Sequence, residues 1–150
     1  MKIHYVTLTI LFLTFANQSF AQKAITFDEW MSNFSYDKIG PMQVDANGAK
    51  VLLATKKAVL LDIRFDEERA TWQINSGIHI PANELPKRLK ELDKNTLYIV
   101  ACPHETRSEM SMLYLTTKGY KAKFLKGGLM GLMDSLRGGN ALDFQEMLKN

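Results

Sequence analysis

Two apolar runs of strand length constrain this chain most. Ala58-Val59-Leu60-Leu61-Asp62-Ile63 and Thr96-Leu97-Tyr98-Ile99-Val100-Ala101 are almost unbroken. A strand that faces water on one side alternates apolar and polar residues. A near-continuous run of this length must be covered on both faces. Around the two runs lie shorter strand-like pieces, Met42-Gln43-Val44, Gly77-Ile78-His79-Ile80-Pro81 and Ala122-Lys123-Phe124-Leu125. Between them come stretches with helical spacing. Asp45 is placed to cap one that carries Val51, Leu52 and Ala54, and Asn83 one that carries Leu85, Leu89 and Leu92. A third runs from about Ser108 to Lys118, and a fourth from about Leu129 to Arg137, before a final amphipathic stretch with Leu142, Phe144 and Met147. Strands alternating with helices predict an α/β fold, a parallel sheet with helices on both faces. In such a sheet, loops at the carboxyl ends of the strands carry function.

The N-terminus has a different character. Lys2 precedes an apolar run of 12 residues, Tyr5 to Ala16, too short for a membrane span of roughly 20. Ser19-Phe20-Ala21 then places small residues at the −3 and −1 positions of a cut after Ala21. This pattern predicts residues 1–21 as a secretory signal peptide and a periplasmic or secreted product, with no membrane attachment after processing. Residues 22–41 are predicted to form a helical arm, starting at Thr26 with Trp30, Met31 and Phe34 on its apolar face, that packs on the domain or on a protein partner. Residues 42–150 form the domain. With Lys2 removed, 18 basic residues face 16 acidic ones, a surplus too small to argue for nucleic acid.

Export gives weight to the cysteine count. Cys102 is the only cysteine, so no disulfide forms within the chain. It stands where the strand Thr96–Ala101 ends, followed by Pro103-His104-Glu105-Thr106-Arg107-Ser108 and a helix. Backbone N–H groups in a tight loop converge as a nest for an anion, and a helix start adds free donors. Arg107 adds a full positive charge. These terms favour a thiolate over a thiol, and would equally stabilise a persulfide.

This loop resembles the active-site loop of the rhodanese domain family. Further pieces resemble the family in the same order: Val59 to Arg64 with its Asp-x-Arg ending, Ile78-His79-Ile80-Pro81 followed by Glu84-Leu85, Lys118-Gly119-Tyr120, and Leu125-Lys126-Gly127-Gly128. The resemblance spans Met42 to about Arg137. It implies a three-layer rhodanese-like fold and a sulfurtransferase that needs no cofactor. Cys102 would take a sulfane sulfur from a small donor as a persulfide and pass it to a thiol or cyanide-like acceptor. Pro103, His104, Glu105, Thr106, Arg107 and Ser108 would bind the substrate, while Asp62 and Arg64 would hold the loop from behind.

The sequence departs from the family at several points. Pro103 removes one N–H from the cradle. Gln73 stands where many members have histidine, and Leu132 where an aromatic is common. Glu105 either faces the pocket and repels dianionic donors, or pairs with Arg107. His79 is expected to satisfy a local hydrogen bond. Two other functions fit the residues: a non-catalytic binding module, and an exported protein that binds thiols or copper through Cys102, His104, Met110, Met112, Met130 and Met133. A phosphatase loop has five residues between cysteine and arginine; here there are four, a spacing better suited to one sulfur atom.

Overall fold

The computed structural model describes residues 22–74 and 76–149. The expected signal segment lies outside them. Five strands form one parallel sheet: β1 (Gln43–Val44), β2 (Val59–Asp62), β3 (Ile78–His79), β4 (Leu97–Ala101) and β5 (Lys121–Leu125), in the order β1-β5-β4-β2-β3. The two long apolar runs become β2 and β4, adjacent strands at the centre. Their register pairs Val59 with Tyr98 and Asp62 with Ala101.

Alternation along the central strands divides the core in two. Tyr98, Val100 and Cys102 face one side, against Met112 and Leu115 of α5 (Thr106–Thr117) and Leu85 of α4 (Leu85–Arg88). Ile99 and Ala101 face the other side. There they meet Leu53 of α2 (Ala46–Ala54), Leu129 and Leu132 of α6 (Gly128–Ser135) and Phe144 of α7 (Gly139–Lys149). This is the three-layer arrangement that the sequence predicted. It follows from burying both faces of a period-two ladder.

Several boundaries differ from the sequence reading. The arm holds only a six-residue helix, α1 (Phe27–Ser32), capped by the Thr26 hydroxyl, and then two 3-10 turns, Tyr36–Lys38 and Gly40–Met42. The stretch after Asn83 is four α-helical residues followed by a 3-10 turn, Leu89–Glu91. Pro86 near its start donates no N–H, and the segment is too short to propagate a regular helix. α5 begins at Thr106, two residues earlier than expected. Arg107 therefore lies in a helical first turn, and not in the loop.

The carboxyl end of β2 buries a charge pair. Arg64 is fully buried and Asp62 is 3 % exposed. The Arg64 guanidinium donates to both Asp62 oxygens, with the shortest contact at 2.6 Å, and to the Trp72 carbonyl at 2.9 Å. It stacks on the Trp72 ring at 3.9 Å. Its donors are thus matched, which is what makes a buried pair tolerable. Removing one partner strands the other. Arg64→Leu should destabilise the fold by about 3–5 kcal/mol, read as a lower urea midpoint at an unchanged slope.

Candidate active site

The site grows from the end of β4. Ala101 is the last residue of the strand, and Ile63 N–H still donates to its carbonyl at 2.9 Å. Cys102 follows, 2 % exposed, on the α5 side of the sheet. The chain then turns back through Pro103, His104 and Glu105 into α5. His104 and Thr106 are exposed, Pro103, Glu105 and Arg107 half-buried, and Ser108 fully buried.

What shapes the loop lies beneath it. The Cys102 carbonyl accepts from Leu129 N–H at 2.8 Å, and the Pro103 carbonyl from Met130 N–H at 3.1 Å. The His104 carbonyl presses on Gly128, where a Cβ would fall 1.8 Å from its oxygen. Gly128 has φ +60°, so glycine is required there twice over, by conformation and by space. Three successive carbonyls are therefore turned toward the first turn of α6. A trans peptide points its N–H opposite its carbonyl. The N–H groups of His104 and Glu105 are thereby aimed away from α6, toward the side of the sheet on which Cys102 lies. Pro103 belongs to the first of these peptides, so that one contributes no donor.

The side chains complete the arrangement. The Cys102 Sγ lies 3.7 Å from the Ser108 Oγ, which itself donates to the Glu105 carbonyl at 2.6 Å. Arg107 donates through both terminal nitrogens to Glu68 of α3 (Asp66–Thr71), at 2.6 and 2.7 Å. The guanidinium also lies over the Phe65 ring at 5.2 Å. Glu68 accepts from Phe65 N–H at 3.0 Å, reaching back over the start of its own helix. The Arg107 hydrogen bonds, aided by that N–H and the charges of Arg107 and Arg64, hold the Glu68 carboxyl down at about 2 against the burial that opposes it. Glu68 chiefly, and Cys102 also, raise the Arg107 pKa above its ordinary value.

The structure places the expected residues as follows. Glu105 does not pair with Arg107: its carboxylate accepts from Gly127 N–H, just ahead of α6. Gly127 is left-handed, at φ +78°, and its N–H is a free donor ahead of the helix. Asp62 and Arg64 hold each other and Trp72; none of their hydrogen bonds reaches residues 102–108. Their influence passes through the charge of Arg64 on Glu68. The residue that does hold Arg107 is Glu68, which the sequence reading missed. It sits in the run Asp66-Glu67-Glu68-Arg69, where any one charge reads as solvated helix surface. His79 Nε2 meets the Arg64 carbonyl at 2.9 Å, the local bond expected of it. Met112 is buried in the core at 1 % exposure, in the same cluster as Cys102, while Met110, Met130 and Met133 are exposed. Among the described residues, no group of three or more histidine, cysteine or acidic side chains is placed to hold a metal.

The sequence pattern of the Rhodanese-like domain family matches residues 45–135, well over half of the chain. The chain belongs to the rhodanese-like domain family. A sulfurtransferase of Allochromatium vinosum is 29 % identical over 90 residues, which cover 59 % of this chain and 84 % of that protein. The candidate sulfurtransferase YtwF of Bacillus subtilis is 34 % identical over 77 residues, covering 51 % and 75 %. Among solved structures, a thiosulfate sulfurtransferase from Pseudomonas aeruginosa superposes with a TM-score of 0.58 at 29 % identity, over 68 % of this chain and 20 % of that one. A Lactobacillus plantarum protein aligns at 26 % identity and TM-score 0.58, over 73 % and 94 %. The rhodanese-like match covers every element described around Cys102, from α2 to α6.

The Glu68–Arg107 pair carries a pH dependence. A carboxyl held below its unfolded value of 4.5 stabilises the folded state fully above that pH. The contribution is lost as pH falls from 4.5 through about 2. Glu68→Gln should cost about 1–2 kcal/mol at neutral pH, a bidentate ion pair discounted for partial exposure. It should also flatten the fall in stability across that acid window. Urea midpoints measured at successive pH values test this; an unchanged acid slope would mean that Glu68 does not hold Arg107.

Proposed function

We propose that the protein is an exported sulfurtransferase that carries sulfur as a persulfide on Cys102. One observation above all supports this: three loop carbonyls are turned to α6, which leaves the opposite face of the loop lined with N–H groups beside a nearly buried sulfur. Such a nest suits an anion no larger than a sulfur or two. The Cys102 thiolate attacks the sulfane sulfur of a donor. A new S–S bond forms at Sγ, the bond from that sulfur to the rest of the donor breaks, and the leaving group departs with the electron pair. A thiol or cyanide-like acceptor then attacks the outer sulfur, and Cys102 leaves as thiolate. The loop N–H groups, Arg107 and the first turn of α5 stabilise the negative sulfur at both stages. Ser108 Oγ is near enough to exchange a hydrogen bond with the sulfur as its protonation changes.

Sulfurtransferase relatives and the sulfur-carrier relationship of a further match, YrkF of Bacillus subtilis, support transfer to a second molecule. The predicted signal over residues 1–21 supports placement in the periplasm or outside the cell, with a cut after Ala21. A non-catalytic binding role would use the same surface and leave Cys102 chemically idle.

Mass spectrometry after exposure to thiosulfate or a glutathione persulfide separates the two. The protein should gain the mass of one sulfur atom, lost again on adding cyanide or excess thiol. Cys102→Ser should abolish the gain and the transfer while leaving the unfolding midpoint within about 1 kcal/mol of the parent. A folded parent that never takes up sulfur from either donor would leave the binding role standing. N-terminal sequencing of material exported by a native-type host should begin at Gln22.

A further inference from the structure

A pocket of about 410 Å³ lies at the other end of the sheet from Cys102. It is bordered by Leu97, the first residue of β4, whereas Cys102 follows the last. Along the strand that is roughly 16 Å of separation. The floor is apolar, built by Met42, Met112 and Ala122, which pack on the α5 side of the sheet. The arm supplies a wall, the indole of Trp30, which is held in a stack between Phe27 and Phe34 at centroid distances of 6.1 and 5.0 Å.

Three lysines, Lys38, Lys121 and Lys123, border the same space. Each ammonium meets a backbone carbonyl: that of Asn33, Asn95 and Pro41 respectively. None forms a salt bridge with a described carboxylate. Asp37, next to Lys38 in sequence, feels the charge of that one lysine. Lys121 and Lys123 belong to the part of β5 that β1 does not reach, since β1 pairs only with Phe124 and Leu125. The long methylene stems extend the apolar lining while the heads keep their charge.

A largely apolar cleft of this size, with a few charged groups of one sign, is a common form of a small-ligand site. The sign selects an anion, and the lining requires an apolar body behind it. We propose that this pocket binds an amphiphilic organic anion, an aliphatic or aromatic carboxylate of the size of a medium-chain fatty acid. Its chain lies on Met42, Met112 and Ala122 against the Trp30 face, and its carboxylate lies among Lys38, Lys121 and Lys123 at the rim. The site is independent of the chemistry at Cys102.

Decanoate, kept below its micelle concentration, is the probe. Titration into the full protein should change Trp30 fluorescence with saturation at one equivalent, and Trp30→Phe should remove that change. Decan-1-ol, with the same chain and no charge, should bind at least about tenfold more weakly at low salt. Lys121→Met with Lys123→Met should weaken decanoate by a similar factor and leave decanol unchanged. Sulfur uptake by Cys102, monitored in the same variants, should not change. Raising the salt should erode the preference for decanoate in the unmodified protein, a readout that needs no variant. Decanol binding as tightly as decanoate, an unchanged affinity in the double lysine variant, or no saturable decanoate binding would each overturn the proposal.

Discussion

The seating of the Cys102 loop on the first turn of α6 is the contact on which the rest of the site depends. The free N–H groups of a helix start need acceptors. In many proteins a side-chain oxygen or water supplies them. Here the acceptors are main-chain carbonyls of residues 102 and 103, with the Glu105 carboxylate on Gly127 beside them. The helix is capped and the loop is shaped by the same bonds. Because peptide groups are rigid and trans, fixing the carbonyls on one side fixes the N–H groups on the other. The N–H face of the loop is thus the reverse side of a helix cap. Gly128 permits the approach, since any Cβ there would collide with the His104 carbonyl.

A second support comes from the neighbouring strand. The register that sets Asp62 against Ala101 brings the end of β2 level with the cysteine. The chain leaving β2 passes through the buried Arg64 and enters α3, whose first turn presents Glu68 to Arg107. The two ion pairs differ in kind. Asp62–Arg64 is dry, and its desolvation cost is offset only by full hydrogen bonding. Glu68–Arg107 is about one-third exposed on each side and ties a helix of one crossover to the helix after the loop. The first fixes the segment that carries α3; the second uses that segment to hold Arg107.

Legibility in the sequence followed physical scale. Strands β2 and β4 were plain because doubly covered strands require unbroken apolar runs. The position of Cys102 at a strand end was equally plain. The arm and the segment after Asn83 are shorter helices than their apolar spacing suggests: spacing does not register Pro86 in the second, nor the break after Ser32 in the first, well before the Gly40-Pro41 expected to end it. Glu68 and Glu105 were beyond reach for another reason. Each is placed by a single long-range contact, across 39 residues to Arg107 and 22 to Gly127. No local pattern distinguishes an acid that makes such a contact from its neighbours in a charged run. One signal was available for Glu68. It is the third residue of a helix led by Phe65, where a glutamate turns back to the free N–H and is held in a fixed pose.

This placement of charge bears on how the site treats an anionic sulfur. Arg107 stands in the first turn of α5, just after the loop, and Glu68 already answers its charge with a carboxylate that stays ionised down to about pH 2. Viewed from a distance the pair is close to neutral, so it adds little long-range attraction for a dianionic donor. Close to the sulfur the balance is different. The guanidinium lies near enough that Cys102 contributes to raising its pKa, while the N–H dipoles of the loop act over a few ångströms only. A neutral dipole array cannot draw a donor from solution, but it needs no counter-ion and no rearrangement when charge arrives. Stabilisation in this site is therefore short-ranged and preorganised. On the proposed persulfide route it would favour the negative sulfur, on Sγ or one atom further out, over the charge of whatever delivered it.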